Sequence, residues 1–210
     1  MSAALESHWD AVYTGKREAQ TSWYRPHLDA SLRMIDALDL PRDAALLDVG
    51  GGRATLVDDL LERGFGDITV LDISTVALDE ARARLGPNAA SVHWLVGDVT
   101  QIDLAPAHCA LWHDRAVFHF MIESDARARY VAAAARAVRP GGYAVIGTFA
   151  VDGPPRCSGL PVARYNAEAL AETFAPAFEK ISGCRDAHRT PSGSEQAFTY
   201  IALRRRYAAV

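Results

Sequence analysis

Apolar residues change their period along this chain, and each change marks a boundary. Leu5, Trp9, Val12 and Tyr13 recur at helical spacing, and Leu28, Leu32, Ile35 and Leu38 do so again after Pro26. Two helices are therefore predicted ahead of the first strand, with Ser22-Trp23-Tyr24 in the connection between them. From Ala44 the pattern becomes short runs of Leu, Val, Ile and Trp separated by amphipathic segments. Runs at 44–49, 67–73, 91–97 and 109–114 predict strands, and helices fill the gaps. This alternation is that of a doubly wound α/β protein with a mostly parallel sheet. A further helix is predicted from about Asp125 to Val138, with Val131, Ala134, Ala135 and Val138 on one stripe, ended by Pro140-Gly141-Gly142 before a strand at 142–150. Beyond that strand the rhythm breaks. A loop with Pro and Gly spans 151–161, a helix covers 166–174, and runs at 178–188 and 195–204 read as consecutive strands. The residues joining them, Thr190 to Ser194, are too few for a crossover helix, so this last pair is expected to be antiparallel.

Composition narrows the partners. With 210 residues, 50% of them apolar, the chain is expected to build one domain around one core, residues 1–40 forming a helical cap and 44–204 the sheet. The net charge of -4 leaves no surplus of Lys and Arg for a phosphate backbone, so nucleic acid is not an expected partner. The one basic run, Arg204 to Arg206, reads as charge that blunts a sheet edge. Cys109, Cys157 and Cys184 show no paired spacing, which argues against a disulfide framework and a zinc site. The opening residues MSAALESHWD have no signal-like apolar stretch, and no apolar run is long enough to span a membrane. A cytoplasmic protein without a membrane partner is expected.

The strongest local signal is Leu46-Leu47-Asp48-Val49-Gly50-Gly51-Gly52-Arg53-Ala54, a strand that enters a glycine turn and then a helix. Backbone approaches a ligand closely only where side chains are absent, and free N–H groups face outward at the helix start. A dinucleotide fingerprint would need a third glycine where Thr55 stands, and would not need Asp48. Asp72 closes the second strand, where a carboxylate can accept bonds from ribose hydroxyls or serve as a residue at a helix start beside Ser74. Asp98 closes the third, as a ligand contact or a turn aspartate.

Taken together, the glycine turn with Asp48, the acids at successive strand ends and the closing strand pair resemble the class I S-adenosylmethionine-dependent methyltransferases over about residues 44–204. The resemblance implies a seven-stranded sheet of order 3-2-1-4-5-7-6 with the last strand antiparallel, and S-adenosylmethionine as the methyl donor. It implies that Gly50, Gly51 and Gly52 pack on the methionine part, that Asp48 orders their turn, that Asp72 with Ile73 meets the ribose, and that Asp98 and Val99 meet the adenine. Leu111 to Phe118 and the leading segments with Trp9, Tyr13 and Trp23 are similar to the thiopurine methyltransferases and to protein-lysine methyltransferases of elongation factor 1A. That likeness implies aromatic rings closing over the donor, which suits a sulfonium cation. Packing of an amphipathic helix is the other reading of these rings. This sequence departs from the pattern at Ala110, where an acid commonly opens the fourth strand, and at Ala116, where the family has Gly.

Methyl transfer asks the protein mainly to position a lone pair and exclude water. His113 and Asp114, at the predicted end of the fourth strand, are the catalytic candidates, His113 also as a donor contact, with His119, Glu123 and His188 further away. No Asn/Asp-Pro-Pro-Tyr/Phe motif and no set of metal ligands is apparent, so a metal-free site is expected. Cys157, Arg156 and Arg164 lie in the loop that shapes the acceptor side in this fold, without an assigned role. The expected reaction is transfer to a small molecule, with sulfur or nitrogen as the favoured nucleophile. Protein-lysine methylation, a non-catalytic donor-binding module and, more distantly, an NAD-dependent oxidoreductase are the alternatives.

Overall fold

The computed structural model describes residues 2–15 and 17–207. Helix α1 (Ser2–Gly15) and helix α2 (Asp29–Asp36) precede strand β1 (Ala45–Val49), as the spacing predicts. The chain then runs through α3 (Leu56–Glu62), β2 (Asp67–Asp72), α4 (Thr75–Leu85), β3 (Val92–Val96) and β4 (Cys109–Arg115). Helix α5 (Ser124–Ala137) leads directly into β5 (Val138–Phe149), and a small hairpin of β6 (Arg156–Cys157) and β7 (Leu160–Pro161) follows. Helix α6 (Ala167–Phe174), β8 (Phe178–Arg189) and β9 (Glu195–Arg205) complete the chain. The main sheet is seven-stranded, in the order β3-β2-β1-β4-β5-β9-β8. β1 to β5 are mutually parallel and β9 is antiparallel to both its neighbours. With the small hairpin set aside, this is the expected 3-2-1-4-5-7-6.

The near-continuous apolar runs follow from burial on both faces. On one face Leu46, Ile68, Leu111 and Val145 pack with Leu32, Ile35, Leu56 and Leu60 of α2 and α3. On the other Leu47, Val49, Trp112 and Ile146 pack with Tyr130, Ala134, Leu170 and Phe174 of α5 and α6. Each such large side chain, taken wholly out of water, contributes about 1.5–3 kcal/mol. Two helix starts, those of α4 and α6, are capped by side chains: Ser74 and Asn166 accept from the amides of Ala77 and Ala169. Ser74 also donates to Asp10 Oδ1 at 2.6 Å, tying α1 to the turn after β2.

Three local expectations are corrected. β4 continues to Arg115, one residue past the predicted end, because Arg115 still pairs with Gly147 of β5. The strand after α5 begins at Val138 rather than after the glycines, and the Pro-Gly-Gly stretch lies within the register shift between Cys109↔Val138 and Leu111↔Tyr143. Arg204 and Arg205 do not blunt an edge, since β9 is interior and β8 is the edge strand. Arg205 instead donates to the carbonyls of Ala135, in the last turn of α5, and of Ala177, just ahead of β8.

Candidate active site

A cleft opens at the carboxyl ends of β1, β2, β3 and β4, where a doubly wound sheet places its ligands. Val49, Gly50, Leu71, Asp72, Ile73, Gly97, Asp98 and Val99 form its floor, and Leu5, Trp9, Tyr13 and Trp23 reach over it from α1 and the following loop. Arg115, Ala116, Val117, Phe120, Met121 and Cys157 close the remaining side.

The glycine turn is shaped by its own neighbours. Gly50 has φ +65°, and a Cβ there would sit 1.9 Å from Val117 Cγ2. Gly52 has φ +49°, and its Cβ would meet Tyr13 Oη at 2.7 Å and Asp72 Oδ2 at 3.0 Å. Only glycine lets the turn fold under the ring of Tyr13 and beside the carboxylate. Asp48 lies beneath: its Oδ1 is 2.7 Å from His113 Nδ1, and a Cβ on Gly51 would be 2.5 Å from its Oδ2. Asp48 thus supports the turn from inside the sheet, and Asp48, Gly51 and Gly52 do not line the cleft.

Asp72 does line it. The carboxylate is buried and accepts from the Ser74 amide at 2.8 Å. Burial, with the charge of Asp48 adding to it, pushes Asp72 up to about 7 against the pull of the amides of Ser74, Ile73 and Gly52. Asp98 accepts from the amide and hydroxyl of Thr100 and from Gln101 Nε2, so it caps the turn after β3 while lining the cleft. The rings over the cleft touch one another: Trp9 lies 5.3 Å from Phe120, 6.0 Å from Trp23 and 6.1 Å from Tyr13, centroid to centroid. Arg53 stacks on Tyr13 at 5.0 Å and pairs with Glu80, which holds the ring down.

His113 and Asp114 are not brought to the cleft. The extra residue in β4 leaves both inside the sheet, where the pleat turns them to opposite faces. His113 is held by Asp48 and, through Nε2, by Ser31 Oγ of α2 at 2.8 Å. Asp114 accepts from the amides of Val117 and Phe118, both at 2.9 Å, and from the Tyr130 hydroxyl. Burial raises Asp114 to about 6, while these donors oppose the shift. Among the further candidates, His119 is wholly buried and pushed down to about 3 by burial and by Arg115. Glu123 precedes α5, and His188 lies in β8, bonded to Arg25 and to the Ser22 carbonyl.

The residues that sequence reasoning passed over are Arg115, Val117, Phe120, Met121 and Leu5. Arg115 Nε donates to Tyr200 Oη at 3.1 Å and Nη1 to the Trp23 carbonyl at 3.1 Å. What carries it to the cleft is strand length: His113 and Arg115 share a face of β4, and the strand's last residue, Arg115, reaches the rim. Ala116 has φ +70°, which is why glycine suits this position in the wider pattern. Cys157 is buried and lines the cleft. Among the described residues no group of three or more His, Cys, Asp or Glu is placed to hold a metal ion, and no helix is long and apolar enough to cross a membrane.

Comparison with known proteins agrees with this geometry. Residues 46–142 match a family model described as a methyltransferase domain. EEF1A lysine methyltransferase 2 of Mus musculus is 32% identical over 81 residues, 34% of this chain and 32% of that protein, so the match spans about a third of the relative's length. The protein of the same name from Danio rerio is 23% identical over 192 residues, 84% of this chain and 76% of that protein. Two solved structures share the fold. One, described by the conversion of a disulfide bond into a thioacetal group during echinomycin biosynthesis, has a TM-score of 0.78 at 20% identity, covering 98% of this chain and 93% of its own. The other is 1,6-didemethyltoxoflavin-N1-methyltransferase of Burkholderia thailandensis with 1,6-didemethyltoxoflavin and S-adenosylhomocysteine bound, with a TM-score of 0.70 at 22% identity, covering 98% and 87%. The matched domain, this strand order and the acid-closed strand ends make the chain similar to the S-adenosylmethionine-dependent methyltransferases over its sheet.

Proposed function

We propose that the protein transfers the methyl group of S-adenosylmethionine to a small-molecule acceptor, at a sulfur or nitrogen atom. The observation that carries this reading is the roof of the cleft. Trp9, Tyr13, Trp23 and Phe120 form a contiguous aromatic cover, with Leu5 and Met121 beside it, over a cleft whose floor ends in Asp72 and Asp98. Such an apolar, roofed space fits a compact planar acceptor. The donor fit rests on the glycine cradle and on the buried Asp72 carboxylate, placed to accept from the two ribose hydroxyls. Asp98 and the Val99 backbone meet the adenine, and Ile73 packs beside the ribose.

When bound, the sulfonium supplies the activated methyl group, which passes to the acceptor's lone pair as its bond to sulfur breaks. The protein's part is to align the two and exclude water, through the faces of Trp9, Tyr13 and Trp23. No histidine lines the cleft among the described residues. His113 and Asp114 act here through position: one holds Asp48 under the glycine turn, the other holds the amides of Val117 and Phe118. Lysine methylation of a protein is the second reading, favoured by the relatives named for that activity. Calorimetric titration with S-adenosylhomocysteine and NAD tests the donor, and a labelled-methyl screen over thiols, heterocyclic amines and protein lysates tests the acceptor. Label appearing only in a protein band would overturn the small-molecule reading. Binding of NAD without the adenosyl ligand would overturn the donor assignment.

A further inference from the structure

The loop that carries Trp23 over the cleft is held almost entirely from outside itself. Between the short turn at Glu18–Gln20 and α2 it forms no helix or strand. Its carbonyls are instead taken one after another by distant side chains. His188 Nε2 donates to the Ser22 carbonyl at 2.7 Å, Arg115 Nη1 to the Trp23 carbonyl at 3.1 Å, and the Thr55 hydroxyl to the Pro26 carbonyl at 2.9 Å. Arg25 returns the contact: Nε donates to His188 Nδ1 at 2.8 Å, and Nη2 donates to the Ala187 carbonyl at 2.9 Å and pairs with Asp186 at 3.1 Å.

His188 stands at the centre of this arrangement and is fully buried in β8, beside Phe198. A guanidinium only donates, so the Nδ1 that receives Arg25 carries no proton, and the ring's single hydrogen is on Nε2, aimed at Ser22. One neutral imidazole therefore grips the loop on both sides of Trp23. Burial and the facing charges of Arg115 and Arg25 push its pKa down to about 4 against the Ser22 carbonyl and Asp186, which keeps the ring in that form.

We infer that His188 is a positioning residue for donor binding: with Arg25 it clasps the 22–25 segment so that Trp23 lies over the cleft before any ligand arrives. This rests on the donor reading above. It assigns a task to the β8–β9 pair, which otherwise stands away from the donor floor at β1, β2 and β3. A roof held ready pays no ordering entropy when the ligand enters.

The test compares wild type with His188→Leu, His188→Gln and Arg25→Met for S-adenosylhomocysteine affinity by calorimetry, amide hydrogen exchange over residues 20–26 without ligand, and thermal midpoint. Removing both hydrogen bonds of the ring in His188→Leu is expected to weaken the ligand about tenfold. The Tyr24 amide, which donates to the Thr21 carbonyl, should lose protection. Arg25→Met should act in the same direction, and covers the case in which His188→Leu does not fold. His188→Gln keeps a donor for Ser22 and should stay within about threefold of wild type. Unchanged affinity and unchanged exchange at 20–26 in both disrupting variants, whatever happens to the thermal midpoint, would overturn the clasp. Should wild type bind no adenosyl ligand, the proposed function fails, while the exchange of the ligand-free loop still decides whether His188 holds it.

Discussion

Lowering the pH should weaken donor binding, because Asp72 holds a proton in the ligand-free cleft over a range where an ordinary aspartate would not. Burial raises this carboxylate from the usual 3.8 to about 7. Ribose hydroxyls that donate to it favour the ionised form, so binding pulls the pKa down and expels the proton. Below the raised pKa, affinity therefore falls about tenfold, or about 1.4 kcal/mol, per pH unit, and above it affinity is flat. Between about pH 8 and about pH 6 the dissociation constant of S-adenosylhomocysteine should rise about tenfold. The same shift acts on stability with the opposite sense: the folded state binds the proton more tightly than the unfolded chain, so this group's contribution is lost as pH rises from about 4 to about 7. Calorimetric titration in buffers of different ionisation heat measures the affinity and the proton count, with close to one proton released per ligand at the lower pH, and unfolding followed over the same pH range measures the stability effect. Tyr13, whose hydroxyl is raised well above 10 by burial and by Asp72, stays silent in this range. Asp72→Asn should flatten the profile. An affinity constant across the range, with no buffer-dependent heat, would refute the argument that Asp72 receives the ribose.

Other substitutions test other contacts. Gly50→Ala places a methyl 1.9 Å from Val117 Cγ2 at a positive φ, and should cost about 2–4 kcal/mol in urea unfolding. Adding Val117→Ala should recover part of that loss, and strict additivity of the two would count against the clash. Tyr130→Phe leaves Trp112 Nε1 and Asp114 Oδ2 each short of a partner in the core, and should destabilise by about 2–3 kcal/mol. Affinity for S-adenosylhomocysteine should not change with it, so a selective loss of binding would place Asp114 nearer the chemistry than its geometry does. Trp9→Leu should weaken S-adenosylmethionine more than S-adenosylhomocysteine, by about 0.5–2 kcal/mol, since only the sulfonium is attracted to a ring face. Equal losses, read by competition binding, would mean that Trp9 contributes packing alone.

The parallel strands, the closing antiparallel pair, the glycine turn and the acids at strand ends were all legible in the chain, because each is a local constraint. A strand buried on both faces must be apolar throughout, a turn at positive φ must be glycine, and a carboxylate at a strand's carboxyl end is next to the crevice by construction. Trp9, Tyr13 and Trp23 were legible through resemblance, since helical spacing alone does not distinguish a roof from a core. Sequence did not decide at which residue a strand would end. His113 and Arg115 share a face of β4, and the one extra residue of that strand keeps His113 and Asp114 inside the sheet and puts Arg115 at the rim. Nor did it show that β9 is interior, that Cys157 returns to the cleft, or that His188 in β8 meets Ser22. Those depend on which surfaces meet after the sheet has assembled. Periodicity along a chain records how each segment is covered, and leaves open which distant side chain completes the cover.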